Sequence, residues 1–404
     1  MSARQASLRF ILFTVFLDVL GIGLMIPVLP TLVGSMAHSP DSQAAWFGAL
    51  ATTYGVMQFL FSPLLGALSD RYGRRPVLLL SMAGLGFSYV VSALTTSLTL
   101  LLMSRLVSGA TGASFSVANA YVADITPADK RGKAFGAIGA AFGVGFVFGP
   151  VVGGMLGSVD LRLPFVVSAC LSLANVLYGW LVLPESLPPE RRSPLTFKRV
   201  NPLGALNHLA ELKGVSALVA VFVLSSFAQF ILQNTWVLYT EFRFHWKPWQ
   251  NGLALFVVGM MSAVVQGVLM GKLLRRFGEH RLIMLGLGSS ALAYLCYGLI
   301  TRDLLLYPVI LANFLSFAVT PSLQALISRA AAANEQGVVQ GSLNGLNSIV
   351  IVLAPLVGTT ILAKVGHLGS GDWRIGATFF LCSALQLIAL AVAARHFRRG
   401  QPAN

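Results

Sequence analysis

Charge is what this sequence has least of. Asp, Glu, Lys and Arg make up 10% of its 404 residues, against 56% hydrophobic ones, whereas a soluble chain is about a quarter charged. A solvated surface of ordinary extent cannot be built from so few, which excludes a soluble globular protein. Acids are rarer than bases, 14 against 28, leaving a net charge of +14. That excess does not point to nucleic acid, because the bases sit in short turns between apolar runs and form no continuous face to follow a phosphate backbone. Cysteine is scarcer still: Cys170, Cys296 and Cys382 lie far apart within apolar runs, so neither a disulfide frame nor a metal site is expected. No Walker loop, no His/Glu zinc spacing and no nucleophile–base pair occurs, so ATP-driven pumping, hydrolysis and a bound cofactor are not expected. Period-two alternation is absent as well, which excludes a membrane β-barrel.

What is there is one apolar run after another. About 20 apolar residues cross roughly 30 Å of hydrocarbon as a helix, and only helices or closed barrels satisfy their own backbone groups in lipid. The sequence predicts twelve spans, near residues 9–33, 45–66, 76–95, 98–123, 134–158, 163–184, 215–239, 250–271, 281–301, 303–328, 337–365 and 373–396. Arg4 and Arg9 precede the first, which is longer than the core of a secretion signal and contains Asp18; it is expected to be retained. Basic residues collect on one set of loops, Arg71, Arg74, Arg75, Lys130, Arg131, Lys133, Lys272, Arg275 and Arg276 among them. The positive-inside rule then expects a multi-pass inner (plasma) membrane protein with both termini in the cytoplasm.

The one long polar linker, 185–214, includes Lys198, Arg199 and Lys213 and divides the chain into an N-terminal six-helix bundle, 1–184, and a C-terminal one, 215–404. A repeat supports the division. The stretch Gly271 to Glu279 echoes Gly66 to Arg74, and Ala354-Pro355-Leu356-Val357-Gly358 echoes Gly149-Pro150-Val151-Val152-Gly153, both 205 positions apart. Six spans per half give both halves the same orientation, a parallel repeat about an axis along the membrane normal. The expected fold class is an all-α membrane protein: twelve transmembrane helices in two pseudo-symmetric six-helix bundles. The turn from Gly66 to Pro76 carries Asp70, Arg71, Arg74 and Arg75 and cannot lie in hydrocarbon. Its charges are exchanged in the repeat, Asp70 matching Arg275 and Arg74 matching Glu279, and both turns read as polar latches at the cytosolic ends of the bundles.

Of the 14 acids, Asp18 is the one well inside a span, roughly 13 Å from its cytosolic end at 1.5 Å per residue. A carboxyl group at that depth can load and release a proton as a site alternates between faces, and Asp18 is the candidate for proton coupling; the other reading is a helix–helix hydrogen bond. Arg105 is the basic residue deep in a span, at a different depth from Asp18, so a direct salt bridge is not assumed. Amides lie at helical spacing: Gln229 and Gln233 with Trp236, Asn313 with Phe317 and Gln324, Asn344 with Asn347, and Gln58 and Asn119 in the first half. As a set they are candidates to line a mid-depth cavity for a neutral or weakly basic amphipathic ligand. Each alone is equally well an interhelical hydrogen bond.

Several stretches together resemble the major facilitator superfamily, its twelve-span drug/proton antiporter branch and, within it, the tetracycline-efflux group. They are Leu17-Asp18-Val19-Leu20-Gly21-Ile22-Gly23-Leu24 with Pro27 and Pro30, the turn at Gly66, Arg105 to Ala113, Gly145 to Gly154, Trp236 to Glu241, and Gln336-Gly337 with Gln340-Gly341. The resemblance covers nearly the whole chain. It implies a secondary active transporter that exports amphipathic drugs or natural products by proton antiport with alternating access, working as a monomer in the lipid bilayer and conferring antibiotic or multidrug resistance. It further implies a conformational latch of Gly66, Asp70, Arg71, Gly73 and Arg74, with Arg74 linked to Asp124, and an antiporter motif of Gly145, Gly149, Pro150, Gly153 and Gly154. Arg105 is implied to tune the proton site. The group's titratable positions in spans three, eight and nine are here Ser88, Ser262 and Ser290. Those departures leave tetracycline open as the substrate and keep a second reading in play, an uncoupled facilitator or a carrier of a different small metabolite.

Overall fold

The computed structural model describes residues 3–112, 114–193, 215–329 and 336–399. The linker from residue 194 on, with Lys198, Arg199 and Lys213, lies outside them, as do Ala113 and the side chains of Arg4 and Gln336. Every regular element among the described residues is helical: α1 (Ala3–Met25), α2 (Leu29–Met36), α3 (Pro40–Tyr72), α4 (Arg74–Leu94), α5 (Leu98–Thr111), α6 (Ser114–Ile125), α7 (Arg131–Val159), α8 (Leu163–Val182), α9 (Ser216–Phe244), α10 (Pro248–Val264), α11 (Met270–Leu299), α12 (Leu306–Ala312), α13 (Val319–Arg329), α14 (Gln336–Ala363) and α15 (Ala377–Arg399), with short 3₁₀ and π turns between them.

Among the described residues, ten helical runs are long and apolar enough to cross a membrane. One of these, Pro248–Leu299, is 52 residues long and is interrupted at Gly278, whose φ of 71° and ψ of 165° leave the helical region. Dividing that run there, and adding the 33-residue α3, is compatible with the twelve expected spans.

Packing groups the chain into two compact units. Unit 1 holds Met1–His38, Ala49–Asn201 and Lys247–Phe256; unit 2 holds Ser39–Gly48, Pro202–Trp246 and Val257–Asn404. In unit 1, α1 lies along α7 and α8, and α4 along α8 and α5. Its core joins Val15 and Val19 of α1 to Val77 and Leu78 of α4, Val117 and Tyr121 of α6, and Ile138 of α7. In unit 2, α9 lies along α14 and α15, and α11 along α15, around Val221, Phe222, Ile283, Leu287, Leu323 and Leu343.

The repeat extends to the irregularities of the backbone. Gly73 (φ 108°) and Gly278 (φ 71°) are the two glycines of positive φ among the described residues, and they stand 205 positions apart. Pro150 and Pro355, inside α7 and α14, share that spacing. The fourth span is broken at Gly112, between α5 and α6, and the tenth by a 3₁₀ stretch, Asn313–Ala318, that contains the equivalent position. Pro63 falls inside α3, and the equivalent stretch of the second half, Val265–Leu269, winds as a π-helix.

Candidate functional site

Asp18 is 8% exposed, its Oδ1 has no hydrogen-bond partner, and the polar side chains of Ser114 and Asn175 interact with it. Asn175, on α8, clasps α1 one turn away: its Oδ1 accepts from Thr14 Oγ1 at 3.3 Å and its Nδ2 donates to the Thr14 carbonyl at 3.3 Å. The ring of Tyr89 lies against Gly21, where a Cβ would stand 3.5 Å from it. Tyr89 and Tyr54 both interact electrostatically with Asp18 and with Arg105. Arg105 is itself 4% exposed; its Nη2 donates to Ser92 Oγ at 3.2 Å, and Ser92 Oγ donates on to the Ser88 carbonyl at 2.8 Å. The Tyr89 hydroxyl and Arg105 Nε have no partner. Unit 1 therefore encloses an acid, a guanidinium and two phenols with spare hydrogen-bonding capacity, an arrangement that accepts water or a proton rather than a closed network.

Small residues hold that acid in place. A Cβ on Gly145 would lie 3.0 Å from the Phe16 carbonyl oxygen and 3.1 Å from Leu20 N, one on Gly149 2.6 Å from Gly23 Cα, and one on Gly153 2.6 Å from Leu24 Cα. Three glycines of α7 thus form the seam on which the backbone of α1 rests, with Pro150 Cδ 3.1 Å from where a Gly23 side chain would begin. Backbones approach this closely only where side-chain bulk is missing. Gly154 faces α10 instead, 3.1 Å from Gly252 Cα by the same measure.

The charged turn is built around Arg74. Its Nη1 pairs with Asp70 Oδ1 at 2.5 Å and donates to Ser69 Oγ at 2.7 Å, while its Nε donates to Asp124 Oδ2 at 3.1 Å. Asp124 Oδ2 also accepts from Ser186 Oγ at 3.2 Å. Gly73 offers no side chain to cap α4, and Glu185 does so from the far side of unit 1's sequence. Its Oε1 accepts from Arg74 N at 2.8 Å and its Oε2 from Arg75 N at 3.2 Å, and Oε1 also takes Ser186 N and Leu187 N, both at 3.0 Å. A carboxylate across the first N–H groups of a 21-residue helix meets both unpaired donors and the positive end of the dipole. Ser193 N donates to the Asp70 carbonyl at 3.1 Å, so residues 185–193 are strapped along the turn. Gly66 has open space around it and Arg71 is exposed, its guanidinium 5.2 Å from the Tyr72 ring centroid.

The remaining candidates divide between the units. In unit 1, Gln58 Nε2 donates to the Gly112 carbonyl at 3.0 Å and Asn119 Nδ2 to the Phe115 carbonyl at 2.9 Å, so both serve breaks or turns of backbone in the fourth span. In unit 2, Gln229 and Gln233 are exposed on α9. Trp236 is 4% exposed and packs edge-on against Tyr297 and Phe379 at 5.4 and 6.3 Å. Asn313 accepts from Ser289 Oγ at 3.0 Å. Phe317 packs against the cluster of Val265, Leu282 and Ala318. Gln324 and Asn347 are half-buried and Asn344 is exposed. Ser88 Oγ donates to Ser104 Oγ at 3.4 Å, Ser290 Oγ to the Gly286 carbonyl at 2.9 Å, and Ser262 Oγ accepts from Gln266 Nε2 at 2.8 Å. Sequence reasoning did not single out Tyr54, Tyr89, Ser114, Asn175, Glu185 or Ser186. The one usable signal was Gly112-Ala113-Ser114, a break followed by an N-terminal serine.

Known proteins place this geometry in context. Residues 11–355 match the Major Facilitator Superfamily. The chain is 40% identical over 376 residues to the tetracycline resistance protein, class C, of Escherichia coli, covering 93% of this chain and 94% of that one. It is 37% identical to the class D protein of Salmonella ordonez, covering 90% and 92%. Among solved structures, the human organic anion transporter MFSD10 superposes with a TM-score of 0.67 at 27% identity, over 97% of this chain and 100% of that one.

Proposed function

Since the chain belongs to the Major Facilitator Superfamily, and stands beside tetracycline resistance proteins within it, we propose that it exports amphipathic small molecules by proton antiport with alternating access. The observation that carries this reading is the Asp18 carboxyl, 8% exposed within unit 1, with neutral Ser114 and Asn175 beside it and an Oδ1 that has no hydrogen-bond partner. A lone acid so placed gains and loses a proton without breaking an ion pair. The halves 1–184 and 215–404 act as the two moving bodies joined by 185–214, in an inner membrane with both termini cytoplasmic. The crowding of basic residues on one set of loops supports that orientation. A monomer suffices, because each unit has its own core. Exposed amides on α9 and the aromatic cluster around Trp236 suit a ligand that is part apolar and part polar.

A second reading, an uncoupled carrier, is favoured by Ser88, Ser262 and Ser290, which offer no further proton sites. Uptake into everted vesicles under an imposed pH gradient separates the two, with tetracycline and a panel of amphipathic drugs, wild type against Asp18→Asn. Gradient-driven uptake by the wild type, lost in Asp18→Asn, is the expected result. Equal uptake by both, indifferent to a protonophore, establishes the uncoupled carrier instead.

A further inference from the structure

The interior of unit 1 holds a cation with no anion to answer it. Arg105 of α5 is 4% exposed, and among the described residues no carboxylate pairs with it. Its Nη2 donates to Ser92 Oγ at 3.2 Å, while its Nε–H has no partner. Ser92 is a neutral acceptor whose own proton goes to the Ser88 carbonyl at 2.8 Å, so it orients the guanidinium without neutralising it. One residue away Ser88 Oγ donates to Ser104 Oγ at 3.4 Å, which ties α4 to α5 beside the charge. Tyr89 stands three residues before Ser92 and therefore on the same face of α4. It is 3% exposed, and its hydroxyl is also without a partner. A buried charge lacking a counter-ion is costly to keep, and arginine cannot relieve the cost by giving up its proton. Asp18 shares the interior of unit 1 but forms no ion pair with Arg105, so the guanidinium is open to a negative charge that arrives from outside.

We propose that Arg105 is the counter-ion for a carboxylate carried by the exported molecule, with the Tyr89 hydroxyl as a second donor, so that the substrates are amphipathic acids. The proposal rests on the export reading and narrows its substrate class. A guanidinium offers five N–H donors in a flat fork that matches the two oxygens of a carboxylate. Here Nε–H is open and Nη2 gives one of its two hydrogens to Ser92, which leaves donors for both oxygens. A halide has no second oxygen for the fork. A phosphate monoester brings more negative charge than one guanidinium neutralises. Amides and aromatics by themselves suit a neutral ligand, but an unanswered guanidinium favours an acid over a neutral analogue of the same shape, because the analogue leaves the buried charge unpaired.

The test compares 1-naphthaleneacetate with 1-naphthaleneacetamide, which share a carbon skeleton and differ in charge. Binding of each to the full-length protein in detergent is measured by equilibrium dialysis against protein-free micelles, at neutral pH where the acid is ionised. The wild type is expected to bind the acid about tenfold more tightly than the amide, the worth of a hydrogen bond to a charged group. Arg105→Gln, which keeps N–H donors but not the charge, brings the two ligands to equal affinity. Ser92→Asp does so by the opposite route: a carboxylate in place of the hydroxyl that lies 3.2 Å from Nη2 occupies the guanidinium from within, and it completes a buried pair instead of breaking one. Excess sodium acetate displaces the naphthaleneacetate, and sodium chloride at the same concentration does not. Equal affinities in the wild type, a preference for the acid that survives in either variant, or displacement by chloride as readily as by acetate overturns the proposal. The binding needs neither a gradient nor transport. A preference for the acid without vesicle uptake therefore removes the export reading alone, and uptake without that preference removes the acid site alone.

Discussion

Arg329 Nη1 lies 2.9 Å from Glu279 Oε1, and these residues stand 205 positions after Asp124 and Arg74, whose contact is 3.1 Å, with the sign of each charge reversed. Arg275 likewise follows Asp70 at that spacing. The whole Asp–Arg–Asp set of unit 1 thus has an Arg–Glu–Arg counterpart in unit 2.

The two pairs differ in burial, and that decides their worth. The Arg74 side chain is 11% exposed and Arg329 68%. Arg74→Ala strands Asp70 and Asp124 in a half-buried site and is expected to cost about 3 kcal/mol. Arg329→Ala removes a solvent-screened pair and is expected to cost under about 1 kcal/mol. Thermal unfolding of the purified variants in detergent measures both, and equal losses would contradict the assignment.

Gly73 and Gly278 give a second contrast. Alanine at Gly278 meets open space and bears only the left-handed backbone strain, about 1–2 kcal/mol. Alanine at Gly73 adds a collision, its Cβ falling 2.7 Å from Glu185 Cδ. Gly73→Ala is therefore expected to be the more damaging, and combining it with Glu185→Ala should bring the further loss down to that of Gly278→Ala.

Glu185→Ala leaves the Arg74 and Arg75 amides without their acceptor. Loss of a charged cap is worth about 2 kcal/mol, read as faster hydrogen exchange at the start of α4 and in residues 186–187. Exchange just after Gly278, the equivalent break inside α11, should not change.

On α7 the seam predicts opposite signs for two alanines. Gly149→Ala drives a methyl group into the backbone of Gly23 and is expected to destabilise by about 1–3 kcal/mol. Gly143 has nothing within 4 Å, so Gly143→Ala is expected to stabilise by roughly 0.5 kcal/mol through helix propensity. The same unfolding measurement ranks them.

Asp372 is held well below its ordinary value of 3.8, at about 2, by hydrogen bonds from the Arg374 side chain and backbone. The folded value is the depressed one, so its contribution is present above pH 3.8 and lost as pH falls through about 2. Emission of Trp373, isolated by difference against Trp373→Phe, should be flat at neutral pH and change only in that acid window. In Asp372→Asn the acid-dependent change should be missing.

The apolar spans and the paired turns were legible because apolar length and clustered charge are one-dimensional signals. Asp18 stood out for the same reason, as a lone acid in an apolar run. Its partners did not, since Ser114 and Asn175 resemble any other small polar residue in a glycine-rich membrane chain and acquire meaning only when α1, α6 and α8 meet. Glu185 was hidden in another way: directly after a span, among prolines and charges, it reads as ordinary linker, and a bond spanning 111 residues to Arg74 N has no local trace. The amides were legible as polar but not by partner, and Gln58 and Asn119 turn to backbone carbonyls of the fourth span. Trp236 does share a helical stripe with Gln229 and Gln233, yet its ring turns into the cluster of Tyr297 and Phe379 while the two amides stay exposed.

Pro63 and the π-helical Val265–Leu269 occupy matching places in the two halves. In one the imino ring forces the ladder apart; in the other a wider winding does so with ordinary residues. The two halves thus keep an altered helical ladder at one shared place by different chemical means, which marks it as a property of the repeat and not of the proline.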